Sequence, residues 1–339
     1  MQPGRLPSIT GQYSSLRIAL AGDFCLDRYF EIDATRKEIS LETGLPVHNV
    51  NHIRSQPGGA GTILNNLCAL GIGTIYPVGF CGEDGEGFEL QRALGELPGV
   101  RSEFFFPSPH RRTFTYGKPL WIEEGQPPRE LNRLDIKNWD PTPASLQGQI
   151  CGALRILAEK VDALILLEQV ELAETGVLNR KVLQTVHEIV STRPSFLCLA
   201  DSRRGLQEFP KVVFKMNTRE LGRLMNQAPP GTLEEAGTIA THLARRNGKT
   251  VVVTLAEQGM LGAAPDGTLE HVPAFPIRGP IDIVGAGDSV TANLTAALSA
   301  GARLREALEL ASAAASVVIH QVGTTGTATV QDLMNLLQK

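Results

Sequence analysis

Short apolar runs that end at a glycine or a polar residue recur along this chain, and they constrain its fold more than any other feature. They occupy residues 18–21, 75–78, 163–167, 196–199, 212–214 and 251–254. Runs of this length are typical of strands that are buried on both faces of a parallel sheet. Stretches with helical spacing lie between them, at 65–70, 88–94, 178–190 and 233–246. The alternation predicts an α/β fold with a doubly wound, mostly parallel sheet.

Two segments interrupt this rhythm, residues 28–57 and 101–136, and both carry many Pro, Arg and Thr residues. Their irregular patterns predict extended strands outside the main sheet, which we interpret as a small β-lid. The lid would be inserted in a single domain that spans residues 17–335, preceded by a loose tail at 1–15. Exposed strands of this kind commonly pair edge to edge, so we expect a homodimer through the lid.

Composition excludes several classes of protein. The 339 residues are 42% hydrophobic and carry a formal net charge of −4, which argues against a protein that binds mainly nucleic acid or anionic lipid. No apolar run approaches the roughly 20 residues that span a bilayer, and the first residues lack the apolar core of a secretory signal. The five cysteines are scattered without a C-x-x-C pair. We therefore expect a reduced, cytoplasmic protein without a membrane partner.

The sharpest local signal is a glycine-rich turn that runs directly into a helical stretch, Gly285-Ala286-Gly287-Asp288 followed by 289–298. Glycines let backbone N–H groups approach an anion, and a helix N-terminus adds free donors and a positive dipole end. A phosphate is favoured there, whereas the Asp288 carboxylate would repel it. A base that takes a proton from a hydroxyl attacking that phosphate explains the pairing. The alternative is a helix-capping aspartate after a glycine turn.

Five segments in order resemble the pfkB, or ribokinase-like, family of sugar kinases. Residues 282–288 resemble its D-T-x-G-A-G-D motif with Ile283 in place of Thr, and 57–66 resemble its Gly-Gly turn before a helix. The other three are the strand ending at 22–23 with Asp27, the N-x-x-E motif at 217–220, and the V-T-x-G-x-x-G stretch at 253–259 with Ala256 at the first Gly. Within the family, 26–30, 132–135 and 326–330 resemble the heptose-7-phosphate kinases, the kinase half of a bifunctional ADP-heptose synthesis protein.

This resemblance implies a ribokinase-like fold and an ATP-dependent carbohydrate kinase. Asp288 would be the base, and Gly285, Ala286 and Gly287 would form the anion hole. The sugar or sugar phosphate would be held by Asp23, Asp27, Gly58, Gly59, Asn66 and Arg133. The nucleotide would be bound by Asn217, Glu220, Thr254, Glu257, Gly259 and Ser312, with Mg²⁺ held through water by Asn217 and Glu220. A requirement for a monovalent cation is left open.

Several alternatives stay open from the sequence. The fold could serve a catalytically weak sugar- or nucleotide-binding regulator, or a kinase of another small hydroxyl acceptor such as a nucleoside or a keto-deoxy acid. Asn217 and Glu220 also match a helix-capping box. A cluster of cations at 111, 112, 118 and 133 predicts a phosphorylated acceptor, or else forms a solvated face. The segment 201–204 and His320 near the adenine are further candidates without an assigned role.

Overall fold

The computed structural model describes residues 1 and 4–337. The helices are α1 (Arg5–Thr10), α2 (Ala60–Ala69), α3 (Gly85–Gly95), α4 (Ala144–Ala158), α5 (Arg180–Thr192), α6 (Thr218–Leu224), α7 (Leu233–Asn247), α8 (Ala286–Ser299), α9 (Leu304–Val318) and α10 (Val330–Leu337). The strands are β1 (Arg17–Gly22), β2 (Phe24–Ile39), β3 (Pro46–Gly59), β4 (Thr74–Gly82), β5 (Phe105–Ser108), β6 (Phe114–Ile122), β7 (Arg129–Glu130), β8 (Leu134–Ile136), β9 (Ala163–Glu168), β10 (Leu197–Ser202), β11 (Val213–Asn217), β12 (Val251–Thr254), β13 (Met260–Ala263) and β14 (Leu269–Val272).

Within these residues the large sheet has nine strands in the order β14-β13-β12-β11-β10-β9-β1-β4-β5. All neighbours from β12 to β5 run parallel, and β13 and β14 add an antiparallel edge. Side chains alternate between two cores: Ile18 and Leu20 of β1 pack with α2, α8 and α9, whereas Ala19 and Ala21 face α4 and α5. The apolar runs of the sequence are therefore strands buried on both faces, as predicted.

A second, five-stranded sheet has the order β3-β2-β6-β7, with β8 also paired to β6, and is called the small sheet below. It comprises residues 24–59 and 114–136, so its observed boundaries differ from the predicted 28–57 and 101–136. Residues 105–108 pair instead with β4 at the edge of the large sheet, in the register Gly79 to Phe105. Phe105 is buried there against Phe24, with ring centroids 5.2 Å apart, and this contact draws the segment into the core.

The N-terminal segment is ordered in its described part, which corrects the prediction of a loose tail. Leu6, Ile9 and Tyr13 are spaced as on one helix face and are buried in the core that also contains α9. Arg5 donates two hydrogen bonds of 2.7 Å to the carboxylate of Glu306 at the start of α9. Apolar spacing and a bidentate ion pair together attach α1 to the domain.

The parallel strands of the large sheet bring their carboxyl ends to one edge, where the segments after β1, β9, β10, β11 and β12 meet. The small sheet is joined to this edge, because β2 follows β1 directly and β3 leads into α2. Ligand sites of open α/β sheets lie at such an edge. Among the described residues, no helix has the length and apolar character needed to cross a membrane.

Candidate functional site

The glycine turn before α8 has the conformation that its sequence predicts. Gly285 precedes the helix with φ of 83°, a left-handed conformation that favours glycine. The Ala286 N–H donates to the carbonyl oxygen of Ile283 at 3.2 Å, whereas among the described residues no acceptor engages the N–H groups of Gly285 and Gly287. Those two amides, together with the dipole of α8, are available to an anion. The Ala286 N–H, which the sequence analysis included in the anion hole, is instead bonded to Ile283.

Lys215, a residue that the sequence analysis missed, lies against this turn. Its side chain on β11 is 8% exposed, and its Nζ is 2.7 Å from Oδ2 of Asp201 at the end of β10. The same carboxylate oxygen accepts a 3.1 Å hydrogen bond from Oγ1 of Thr291 on α8. A Cβ atom placed on Gly287 would stand 3.0 Å from the Lys215 Nζ. A lysine flanked by methionine and phenylalanine in a strand carries no motif, so only the fold brings it to the turn.

Asp288 lies in the first turn of α8 and faces the interior of the site. Burial is the main effect on its carboxyl group and raises its pKa to about 7, although the neighbouring Lys215 ammonium lowers it. The charges of Asp201 and Asp27 raise the pKa further, and that of Arg203 lowers it. A carboxyl group with a pKa near neutrality is suited to accept a proton at physiological pH. The side chain that the motif predicted as a base therefore has the electrostatic environment of one.

Asp27 lies on β2 of the small sheet, directly over Gly58 of β3. A Cβ atom on Gly58 would approach the Asp27 carboxylate to 2.7 Å, so glycine is required there. Lys118 of β6 holds its Nζ 3.6 Å from Asp27 and 3.3 Å from the hydroxyl oxygen of Tyr29. Burial raises the pKa of Asp27, while Lys118 lowers it. Asp27 and Lys118 thus offer an acceptor and a donor on the small-sheet side of the site.

Arg133 also lies on this side. Its guanidinium carbon is 5.0 Å from the ring centroid of Tyr116, and two of its nitrogens bond the Asp135 carboxylate at 2.6 and 3.1 Å. The Arg133 charge also lowers the pKa of Asp27. The guanidinium is therefore held in place by a stack and an ion pair, and its Nη1 edge has no hydrogen-bond partner among the described residues.

Three predicted sugar contacts prove to organise the backbone. Asp23 is 1% exposed and accepts hydrogen bonds from the N–H groups of Gln169, Val170 and Val177, at 2.8, 3.1 and 2.7 Å. Gly59 turns the chain from β3 into α2 with φ of 57°, since a Cβ there would be 2.5 Å from the Asp23 carbonyl oxygen. Asp23 therefore shapes the loop after β9, and Gly59 shapes the Gly-Gly turn. Neither of these two residues offers a free side-chain group to a sugar.

The third of these is Asn66, which is fully buried in α2. Its Nδ2 donates to the carbonyl oxygen of Thr62 at 3.0 Å, and Oδ1 has no partner among the described residues. Thr62 lies beside the turn, since its Cγ2 would be 3.5 Å from a Cβ on Gly285. Asn66 is therefore engaged within α2 and presents no exposed group to a sugar.

Asn217 and Glu220 form a capping box at the start of α6. The Asn217 Oδ1 accepts from the Glu220 N–H at 3.0 Å, and the Glu220 Oε2 accepts from the Asn217 N–H at 2.8 Å. The alternative interpretation of this motif is thus realised, and the capping bond takes up one of the two lone pairs of the Asn217 Oδ1. Glu220 keeps its second carboxylate oxygen, and burial raises the pKa of this group. No group of three acidic or other metal-ligating side chains occurs in residues 1 and 4–337.

This donor set still fits Mg²⁺, which keeps several waters and is commonly bound by one or two carboxylates together with substrate phosphates. A dedicated cage of protein ligands is not needed for such an ion. Glu220 is the residue that would hold it, through water.

The expected nucleotide residues surround the end of β12. Thr254 ends that strand, and its Oγ1 is 3.5 Å from the Met216 carbonyl oxygen. Glu257 is exposed in the following turn, and Ser312 of α9 is buried with its Oγ 3.4 Å from the Pro273 carbonyl oxygen. Gly259 has φ of 89°, and a Cβ there would be 2.1 Å from the Val272 carbonyl oxygen. Gly259 is therefore required by the backbone, whereas Glu257 is available to solvent or ligand.

Arg111 and His320 have structural roles. Arg111 is 6% exposed and donates to the carbonyl oxygens of Asp140, at 2.9 Å, and of Thr175. Arg111 therefore joins two loops and is not available to bind a phosphate, although the sequence analysis placed it in the cation cluster. Arg112, the next residue of that cluster, is exposed. His320 accepts from the Arg278 N–H at 2.8 Å through Nε2 and bonds the Ser316 carbonyl oxygen at 2.6 Å through Nδ1. Both of its nitrogens are occupied, as expected of a packing histidine.

Comparison with known proteins agrees with this geometry. A family model described as "pfkB family carbohydrate kinase" matches residues 180–330, the part that contains Lys215 and Asp288. The chain is 32% identical over 321 residues to the bifunctional protein HldE of Rhodospirillum rubrum, covering 94% of this chain and 62% of that protein. The matched region is thus a pfkB-type carbohydrate kinase domain. The chain is also 29% identical over 308 residues to HldE of a Bradyrhizobium species, covering 91% of this chain and 60% of that one.

The chain thus spans about three-fifths of the length of these curated relatives. Solved structures of a ribokinase and of a phosphofructokinase share its fold. Arabidopsis thaliana ribokinase complexed with ribose and ATP has a TM-score of 0.69 at 19% identity, over 96% of this chain and 99% of that one. Phosphofructokinase-2 from Escherichia coli in complex with fructose-6-phosphate has a TM-score of 0.68 at 18% identity, over 95% and 98%. The predicted ribokinase-like fold is confirmed.

Proposed function

We propose that this chain transfers a phosphoryl group from ATP to a hydroxyl group of a sugar phosphate. The observation that carries the proposal is the position of Asp288, a carboxyl group with a pKa of about 7 at the start of α8, beside two amides that have no acceptor among the described residues. A binding protein has no need of a proton acceptor next to an anion site. The resemblance of 26–30, 132–135 and 326–330 to heptose-7-phosphate kinases makes a heptose 7-phosphate the first acceptor to test.

In this mechanism Asp288 accepts the proton of the attacking hydroxyl group as its oxygen bonds the transferring phosphorus. The N–H groups of Gly285 and Gly287, together with the dipole of α8, stabilise the charge on the phosphoryl oxygens. Bound Mg²⁺ neutralises phosphate charge, and Glu220 would hold the ion through water. Exposed Glu257 and the end of β12 at Thr254 would border the nucleotide.

The acceptor lies between this turn and the small sheet. Asp27 would accept hydrogen bonds from sugar hydroxyl groups, and Lys118 would donate to them. The free edge of the Arg133 guanidinium would bind the phosphate that the acceptor already carries, because the fork of arginine matches phosphate oxygens. The small sheet would then cover the acceptor as a lid.

A comparison of matched acceptors tests this assignment. ADP release is measured with ATP and free or phosphorylated hexoses and heptoses, in wild type, Arg133→Met and Arg129→Met. Arg129 is an exposed arginine of the same sheet, on β7, and serves as the control. We expect the phosphorylated acceptor to be preferred and Arg133→Met to lower its kcat/KM by about 10–100-fold, the effect of one lost charged hydrogen bond. Preference for free sugars, or an unaffected Arg133→Met enzyme, contradicts the assignment.

The outer surface of the small sheet is the basis of the proposed homodimer. Strand β3 lies at a sheet edge, and exposed apolar side chains concentrate on this sheet and its β2–β3 turn: Ile39, Leu41, Leu45, Val50, Ile53, Leu134 and Ile136. Long exposed edges with apolar side chains favour pairing with another chain. Sedimentation of Ile53→Glu tests it against Ile156→Glu on α4, since both isoleucines are 48% exposed. A dimer lost only in Ile53→Glu supports the interface, and equal behaviour of the two variants rejects it.

A further inference from the structure

The Lys215 ammonium has an unusual environment for a buried charge. A lysine ammonium carries three N–H donors. Within residues 1 and 4–337, the Lys215 Nζ has one hydrogen-bond partner, the Asp201 carboxylate at 2.7 Å. The residue is 6% exposed, so water does not freely supply the missing acceptors. A buried cation with unused donors is costly unless another anion completes its coordination.

The unused donors face the anion turn. A Cβ atom on Gly287 would stand 3.0 Å from the Lys215 Nζ, which places the ammonium directly beside the amides described above. Burial lowers the pKa of Lys215, but the negative charge of Asp201 and, to a smaller extent, that of Asp288 raise it above its ordinary value. An anion bound at the start of α8 would therefore meet the ammonium and the two amides together.

Asp201 connects the ammonium to the helix that carries the turn. Its Oδ2 accepts from the Lys215 Nζ and from the Thr291 Oγ1, at 2.7 and 3.1 Å. One carboxylate at the end of β10 thereby fixes the distance between β11 and α8.

We propose that Lys215 is a catalytic residue whose ammonium binds the phosphoryl group under transfer, and that Asp201 is the positioning residue that aims it. This rests on the proposed function. In the step, the acceptor oxygen loses its proton to Asp288 and forms a bond to the γ-phosphorus, and the bond from that phosphorus to the β–γ bridging oxygen breaks. Lys215 stays protonated throughout, and its charge offsets the negative charge on the transferring group.

A purely structural role predicts different behaviour. If Lys215 served only to neutralise the buried Asp201, its removal would lower stability and affect all ligands alike. If it binds the γ-phosphoryl group, its removal affects a nucleoside triphosphate and spares the diphosphate. The charged groups that face Asp288 come from three elements: Lys215 on β11, Asp201 and Arg203 at the end of β10, and Asp27 on β2.

The experiment compares wild type, Lys215→Met, Asp201→Asn and the control Lys249→Met. Lys249 bonds the Pro194 carbonyl oxygen at the opposite edge of the sheet, 2.5 Å away. Calorimetry measures the affinities for ADP and for a non-hydrolysable ATP analogue, and steady-state kinetics gives kcat and the acceptor KM. We expect Lys215→Met to lower kcat by about 10²–10³-fold with little change in acceptor KM, as for a lost oxyanion donor. The ATP analogue should bind more than about tenfold more weakly, and ADP as in wild type.

Asp201→Asn should reproduce part of the kcat loss, and Lys249→Met none. A kcat within about threefold of wild type in Lys215→Met, or equal losses for ADP and the analogue, overturns the proposal. If Lys215→Met does not fold, Asp201→Asn decides: unchanged kcat and analogue affinity in that variant also overturn it. If wild type releases no ADP with any acceptor, the proposed function fails, and the binding arm still tests whether Lys215 contacts the γ-phosphoryl group.

Discussion

Replacing Asp288 with Asn should make the protein more stable while it removes the proposed base. The pKa of this carboxyl group rises from 3.8 to about 7 in the folded chain, chiefly through burial. Each unit of pKa shift corresponds to about 1.4 kcal/mol, so ionised Asp288 lowers the free energy of unfolding by at most about 4 kcal/mol. Its partial exposure to solvent reduces this, and we expect a gain of about 2–4 kcal/mol from the neutral side chain.

The sign of this effect depends on pH. Because the pKa of Asp288 is raised on folding, the folded chain binds this proton more tightly than the unfolded chain does. Protonated Asp288 therefore adds no penalty to the free energy of unfolding at low pH, and the folded chain has its full stability there. That stability is lost as pH rises from about 4 to about 7, and the loss is complete above this range. The advantage of Asp288→Asn should therefore be full at pH 8, about two fifths as large at pH 5, and close to zero below pH 4.

Urea denaturation of wild type and Asp288→Asn at pH 5 and pH 8 measures this difference. Asp266→Asn is the control, because hydrogen bonds from Thr268 lower the pKa of that exposed carboxyl group. It should give no gain at pH 8. Turnover in Asp288→Asn should fall by about 10²–10⁴-fold, the usual contribution of a general base. An Asp288→Asn protein that is no more stable than wild type at pH 8 would refute the electrostatic reasoning.

Three further outcomes are expected from substitutions and thiol chemistry. Ala256 has φ of 52°, so Ala256→Gly should raise the free energy of unfolding by about 0.5–1 kcal/mol in urea denaturation, and a loss of stability would contradict this. Arg111→Met should lower the free energy of unfolding by about 3 kcal/mol, because buried carbonyl groups lose their donor. The control Arg112→Met, at an exposed position, should change it by less than about 0.5 kcal/mol, and similar effects of the two substitutions would reject the structural role of Arg111. At most one thiol, that of Cys68, should react quickly with Ellman's reagent in the native protein, since the other four cysteines are buried; rapid reaction of two or more is the contrary result.

Much of the fold follows from local sequence patterns. Buried parallel strands are apolar on both faces, so the runs at 18–21 and 163–167 were recognisable without knowing their partners. Segment 101–113 was assigned to the wrong sheet, since its strand is short and its place depends on the contact between Phe105 and Phe24. The tail predicted over residues 1–15 is wrong for the described part of that segment, because Leu6, Ile9 and Tyr13 are buried in the core that contains α9, a contact that a short local pattern does not reveal.

The candidate site was predictable where one backbone segment supplies it. Gly285, Gly287 and Asp288 are adjacent in sequence, so their chemistry was apparent from spacing. Lys215 and Asp201 come from different strands, and only the parallel order of β10 and β11 brings them together. Asp23 was predicted to bind sugar, but three amides of the loop after β9 occupy its carboxylate, a contact between segments 146 residues or more apart.

The central claim is that Asp288 accepts a proton from a sugar-phosphate hydroxyl group while the start of α8 binds the phosphoryl group. The most direct test is ³¹P NMR of wild type and Asp288→Asn, each incubated at pH 8 with ATP, Mg²⁺ and heptose 7-phosphate. We predict that wild type forms ADP together with one new phosphate ester on the heptose. Asp288→Asn should bind the ATP analogue normally and form this ester about 10²–10⁴-fold more slowly. Ester formation at the wild-type rate in Asp288→Asn would contradict the account.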